Sequence, residues 1–333
     1  MVEMGRFPVP SLATRTWVPP STPAVQEQQP AVDLTPPPAQ VQAPVELPPS
    51  PVAQPAVVVS RPGQGIGVPI LTYHWIRVNP VPNDTLGFHL SVTPDNFAQQ
   101  MDFLHFAGAH PITLAAAMSA LETGKPLPAR PVILTFDDGY GDFASRATPV
   151  LQRYGFVGTD YVVSGFIGHT AYMNTDQIHQ VEAAGMVIGC HTVNHVDLAR
   201  VAPQVARMQI TVSHQQLEQL LGHKVLDFAY PYGGFNYQVE QMVLADGFRD
   251  AVTTQGGTWL QLANRGAWPR LHIDGADGLA SFAEKALTGT RADVVQELLH
   301  GYATRGAPAP QPSPTPTQRV ATNGGGNDDR RLA

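Results

Sequence analysis

Two short segments of this chain hold the residue types that do chemistry. Thr135-Phe136-Asp137-Asp138-Gly139-Tyr140 sets two adjacent carboxylates after the apolar run Pro131 to Leu134. His191-Thr192-Val193-Asn194-His195 sets two imidazoles four residues apart after the apolar run Met186 to Cys190. Two histidine nitrogens and one carboxylate leave coordination positions open for water and substrate, which marks a catalytic rather than a structural metal site. Zinc is the expected ion, and cobalt, nickel, iron or manganese suit the same ligands. A spacing of four on a helical turn would bring both imidazoles to one face. Such an ion activates water and polarises a carbonyl. The spare carboxylate can then accept a proton as general base.

Other groups fall at strand ends. His74 closes the apolar run Val68 to Tyr73 and reads as a rim or supporting group. Tyr230-Pro231-Tyr232-Gly233 follows the run Val225 to Tyr230, and a backbone N–H in that turn can support a developing oxyanion. His272, in Arg270-Leu271-His272, is the candidate acid for the leaving group. Tyr140, Trp75, Phe235 and Trp268 are either sugar-stacking rings or core. Cys190 precedes His191, so strand alternation turns it away from the site as a buried filler.

These groups need elements to carry them. Thr93-Pro94 is a helix start, a capping hydroxyl followed by proline at the first helical position. Helices are expected over Phe143–Tyr154, Asp176–Ala184, Pro203–Leu221, Tyr237–Ala245, Leu279–Leu287 and Asp293–Tyr302, the first three stopped by glycine. Strands are expected at Val68–Tyr73, Pro131–Phe136, Tyr161–Val163, Met186–Cys190, Val225–Tyr230 and Asp250–Thr254. The alternation implies an α/β fold, a parallel sheet wrapped by helices. In such folds chemistry is done where strands end.

Composition sets the limits. More than half of the 32 prolines lie before Arg61 or after Gly306. Residues 1–65 read as a disordered Pro-rich linker and 305–333 as a disordered tail, because neither can bury enough apolar surface to offset ordering. Residues 66–304 are long enough for one domain with a full core. The net charge is −7 with 14% charged residues, and no basic patch argues for nucleic acid. No run is long enough for a membrane-spanning helix. The single cysteine excludes an internal disulfide framework. No secretion leader is legible in Met1 to Gly5, yet a Pro-rich spacer suits a tethered hydrolase. The expectation is therefore an extracellular or cell-surface protein, a monomer, with a start that is truncated or miscalled.

The motifs resemble those of the polysaccharide deacetylases, carbohydrate esterase family four, with its NodB-like homology domain. Thr135 to Gly139 is similar to the family's T-F-D-D-G, His191 to His195 to its H-T-x-x-H, and Phe228 to Gly233 to its third motif in the form F-A-Y-P-Y-G. Val68 to His74 resembles the opening strand of the branch acting on exported poly-N-acetylglucosamine. The resemblance implies a distorted (β/α)7 barrel that hydrolyses N-acetyl groups on poly-N-acetylglucosamine, peptidoglycan or chitin-type chains and releases acetate. It implies Asp137 as base, Asp138, His191 and His195 as metal ligands, Tyr232 as oxyanion donor and His272 as acid, with His74, Tyr230, Pro231 and Tyr232 at the substrate. One departure stands out. Many members carry an arginine two residues before the proline of the third motif, where Ala229 stands here. Arg270 is the candidate replacement from another strand end. Without a replacement, the alternative is a carbohydrate-binding surface module without turnover. A deacylase of a non-sugar amide is a further alternative, which a site with no groove and a tight lid would favour.

Overall fold

The computed structural model describes residues 61–305. The expected linker up to residue 60, and the expected tail from residue 306, lie outside the described residues.

Seven strands form one parallel path. They are β1 (Ile70–Tyr73), β2 (Pro131–Asp138), β3 (Thr159–Val162), β4 (Val187–Cys190), β5 (Asp227–Ala229), β6 (Asp250–Val252) and β7 (Leu271–His272). Their spatial order is β6-β5-β4-β3-β2-β1-β7, each pair parallel. All eight residues of β2 are buried, as a strand covered on both faces requires. The sheet curls because residues 268–272 bond at both of its edges. Trp268 N–H donates to Ala251 O of β6 and its carbonyl accepts from Thr253 N–H just beyond that strand, while Leu271 and His272 pair with Leu71 and Thr72 of β1.

Strand alternation divides the core in two. Ile70, Ile133, Tyr161, Ala229 and Val252 pack with Trp268 in one apolar cluster. Leu71, Tyr73, Leu134, Phe136 and Ile188 pack with helix residues such as Phe97 and Met101 in the other. Trp268 is fully buried and its indole N–H donates to Gln261 O, so it is core and not a sugar platform.

The helices in chain order are α1 (Thr85–His89), α2 (Pro94–Phe106), α3 (Leu114–Thr123), α4 (Thr148–Arg153), α5 (Thr175–Ala183), α6 (Pro203–Leu221), α7 (Tyr237–Ala245), α8 (Leu279–Ala286) and α9 (Ala292–Thr304). Thr93 caps α2 by accepting from Asn96 N–H, and Pro94 opens the helix. Two helices, α1 and α3, fall where no element was expected. In α3 the run Leu-Ala-Ala-Ala-Met-Ser-Ala-Leu has strong helix propensity but too few large apolar residues to show a period. The single helix expected from Phe143 to Tyr154 is instead a π-helical turn, Phe143–Ala147, followed by α4. Pro149 explains the break, because it lacks an N–H and its ring crowds the carbonyl four residues back. None of the described helices is long and apolar enough to cross a membrane.

Candidate active site

The interior residues of β2 lead to the site: Ile133, Thr135, then Asp137. Alternation alone would turn Asp138 away. Its φ of +81° reverses that, so both carboxylates reach one cavity. Aspartate tolerates this left-handed backbone better than most residues.

Asp137 is 4% exposed and meets Arg270, which is 2% exposed, through two hydrogen bonds of 2.7 Å each. Two further guanidinium donors go to Thr253 O (2.8 Å) and Thr135 Oγ1 (3.2 Å), so four of the five N–H groups are bonded. Burial pushes the Asp137 carboxyl up, but the Arg270 charge and hydrogen bonds, helped by His191 and His74, outweigh it and hold the group below the usual carboxylate range. A buried carboxylate is thereby kept ionised. Arg270 reaches this carboxylate from the residue just before β7, and Ala229, at the third-motif position, cannot.

Asp138 meets the two histidines. Its Oδ1 lies 3.5 Å from His191 Nε2 and 3.1 Å from His195 Nε2. One ligand atom from each of the three lies within 4.8 Å of the others. Asp138 Oδ1 is buried and, among the described residues, makes no well-directed hydrogen bond. The His191 Nδ1–H donates to Ala229 O at 2.7 Å, which leaves the Nε2 lone pair for an ion. Burial pushes His191 down to about 4, so its imidazole is neutral, as a ligand must be. An unsatisfied carboxylate oxygen facing two imidazole nitrogens fits a divalent cation.

The histidine segment is not helical. Thr192 (φ +67°) and His195 (φ +53°) both take left-handed backbone, and the imidazoles converge through a turn, with ring centroids 4.9 Å apart. The helical spacing expected from sequence is corrected accordingly. The 3₁₀ turn Ser164–Phe166 packs against this loop so closely that a Cβ on Gly165 would lie 2.4 Å from Val193 O. Gly165→Ala is therefore expected to cost about 1–3 kcal/mol. Urea unfolding of the two proteins checks it, and equal midpoints would contradict it.

A cavity of about 320 Å³ covers these groups, a size that suits a small unit such as one sugar ring. His74 and His272 share its wall, with ring centroids 5.7 Å apart. The His74 Nδ1 is buried without a partner among the described residues, whereas His272 Nε2 lies 3.3 Å from His89 O. Burial, then the neighbouring His74, lowers the His272 pKa. Tyr232 lies at the mouth, 66% exposed, with φ of +59° and its ring 4.6 Å from His195.

Tyr230 and Pro231, expected at the substrate, do not line the cavity. Tyr230 is fully buried, donates its hydroxyl to Gly266 O at 2.8 Å and stacks on Phe235. Trp75 stacks on Tyr140, with Arg77 3.5 Å from its ring centre, so its ring is occupied within the protein. Burial, then the Asp138 charge, raises the Tyr140 pKa. Cys190 is buried with Sγ 3.0 Å from Ser213 Oγ. The sequence reading missed Thr72, Thr254 and the apolar wall of Leu86 and Leu90. Both leucines belong to a stretch with no strand or helix period, so no sequence signal marked them.

The strand ends of a curled parallel α/β sheet thus carry an arginine-held carboxylate and an Asp–His–His cluster. A family model described as polysaccharide deacetylase matches residues 124–251. The Streptococcus pyogenes deacetylase PplD, solved with acetate, is 30% identical with a TM-score of 0.62, over 67% of this chain and 99% of that one. This chain belongs to the polysaccharide deacetylase family. IcaB from Ammonifex degensii shares the fold, with 24% identity and a TM-score of 0.58 over 67% of this chain and 97% of that one. The poly-β-1,6-N-acetyl-D-glucosamine N-deacetylase of Staphylococcus epidermidis is 25% identical over 207 residues, 56% of this chain and 71% of that protein. The Bacillus subtilis protein YxkH, named for the polysaccharide deacetylases, is 29% identical over 190 residues, 57% of this chain and 65% of YxkH. The match thus spans just under two thirds of YxkH.

Proposed function

We propose that this protein is a metal-dependent hydrolase that removes N-acetyl groups from an N-acetylglucosamine polymer and releases acetate. The carrying observation is the Arg270–Asp137 fork beside the Asp138–His191–His195 cluster. Asp138, His191 and His195 hold one divalent ion, zinc in the first instance. The ion, when bound, polarises the acetyl carbonyl and activates water. Asp137 takes the proton of the attacking water, and the Arg270 fork aims its carboxylate. The backbone N–H of Tyr232 supports the oxyanion. As the C–N bond breaks, the leaving nitrogen takes a proton from the imidazole pair His272 and His74, completing the amine. The binding-module alternative rested on the missing third-motif arginine, and Arg270 already occupies the carboxylate that such an arginine would orient.

The poly-β-1,6-N-acetylglucosamine deacetylases among the relatives support that polymer over peptidoglycan, chitin-type chains or acetylated xylan. Residues 66–304 are the catalytic domain, working as a monomer outside the cell. The test is acetate release from a panel: poly-β-1,6-N-acetylglucosamine, chito-oligomers, peptidoglycan, acetylated xylan and a small N-acetyl amide. Fastest release from the β-1,6 polymer is expected. Release from the small amide alone would overturn the polysaccharide reading.

A further inference from the structure

The turn that carries His191 and His195 has an unusual backbone. Thr192 is a β-branched residue held at φ +67°, a conformation that persists only when the surroundings impose it. Its hydrogen bonds show what imposes it. His195 N–H donates to Thr192 Oγ1 (3.0 Å), a bond inside the turn. Ser164 N–H and Gly165 N–H donate to Thr192 O (3.0 Å) and Val193 O (2.9 Å), which fixes the turn from one side. From the other side comes a single side chain on α6. Gln209 Oε1 accepts from both Val193 N–H (3.0 Å) and Asn194 N–H (2.9 Å). Gln209 is 2% exposed.

We infer that Gln209 is a positioning residue for the metal centre: its amide oxygen clamps the two N–H groups between the histidines and thereby sets where both imidazoles converge. The inference rests on the metal reading of Asp138, His191 and His195. The same helix face is also fixed to the strand before the turn. Ser213, one turn on, donates to Gln209 O (2.7 Å) and its hydroxyl lies 3.0 Å from Cys190 Sγ. Helix α6 thus holds the strand end and the ligand turn in one register. Val193 is half-buried and Asn194 is exposed, so water can reach the two N–H groups if the glutamine is lost. The expected consequence is a displaced ligand turn in a folded protein.

The experiment compares the full-length protein with Gln209→Leu, which removes the acceptor, and Gln209→Glu, which keeps it. Zinc affinity is read by competition with a chromophoric chelator, and melting is followed with and without zinc. Gln209→Leu is expected to weaken zinc binding by about tenfold or more, in the range typical of partners that orient metal ligands. Its melting point should rise less on zinc addition than that of the natural protein. Gln209→Glu should bind zinc close to the natural level. If Gln209→Leu binds zinc as tightly as the natural protein and melts lower by the same amount in both states, Gln209 is a general brace and the inference fails. If the natural protein itself binds no zinc while holding its fold, the metal reading fails and takes the inference with it.

Discussion

Replacing Arg270 with leucine is expected to destabilise the domain by about 3–5 kcal/mol, the usual cost of removing one partner from a buried ion pair. Arg270 and Asp137 are both nearly inaccessible and are joined by two hydrogen bonds. Leucine would leave a largely buried carboxylate without its cation. An unpaired buried carboxylate is held protonated, and a protonated base takes no proton. Deacetylation should therefore fall with stability, and it should fall even at a temperature where the variant remains folded. Arg270→Lys tests the geometry. Lysine restores the charge without the planar fork, so stability should recover further than turnover. Urea unfolding and initial rates of acetate release measure the two quantities. A leucine variant with natural stability and natural rate would contradict the role given to the fork.

Asp137→Asn is expected to lower the rate by about 10²–10⁴-fold, the span general-base catalysis supplies. Asparagine keeps the shape, but its single carbonyl oxygen accepts from only one arm of the Arg270 fork and its NH₂ faces the other. Stability should therefore fall too, and rates are read at a temperature where the variant is folded. It cannot accept a proton from water. Zinc binding should persist, because the ligand set does not include Asp137. Rates and zinc affinity measured on one preparation separate the two effects. Loss of zinc binding in Asp137→Asn would mean that the base and ligand roles of the two aspartates are exchanged.

Much of this site was legible because each chemical group stands alone at the end of an apolar run. Thr135 to Gly139 and His191 to His195 announced themselves by residue type, and strand alternation correctly turned Cys190 away. What sequence did not disclose was backbone conformation and long-range approach. Asp138 faces the cavity through its left-handed φ, and the histidines converge through a turn instead of a helix. Both are local choices that tertiary packing imposes. The Arg270–Asp137 pair spans 133 residues, and only closure of the barrel by residues 268–272 makes it a contact. Arg270 was readable as a candidate and no more. Tyr230 shows the reverse case: a motif residue that sits next to the site in sequence but is spent on core packing and a bond to Gly266. The helix α3 was hidden by its alanines, whose propensity is high but whose small side chains leave no period to read.

The most direct test is a titration of one metal-stripped sample with zinc, following acetate release from poly-β-1,6-N-acetylglucosamine at each addition. The expected curve starts near zero, rises linearly and levels off at about one zinc per chain, the stoichiometry of a single two-histidine, one-carboxylate site. Full activity in the stripped sample, with no response to added metal, would contradict the central claim.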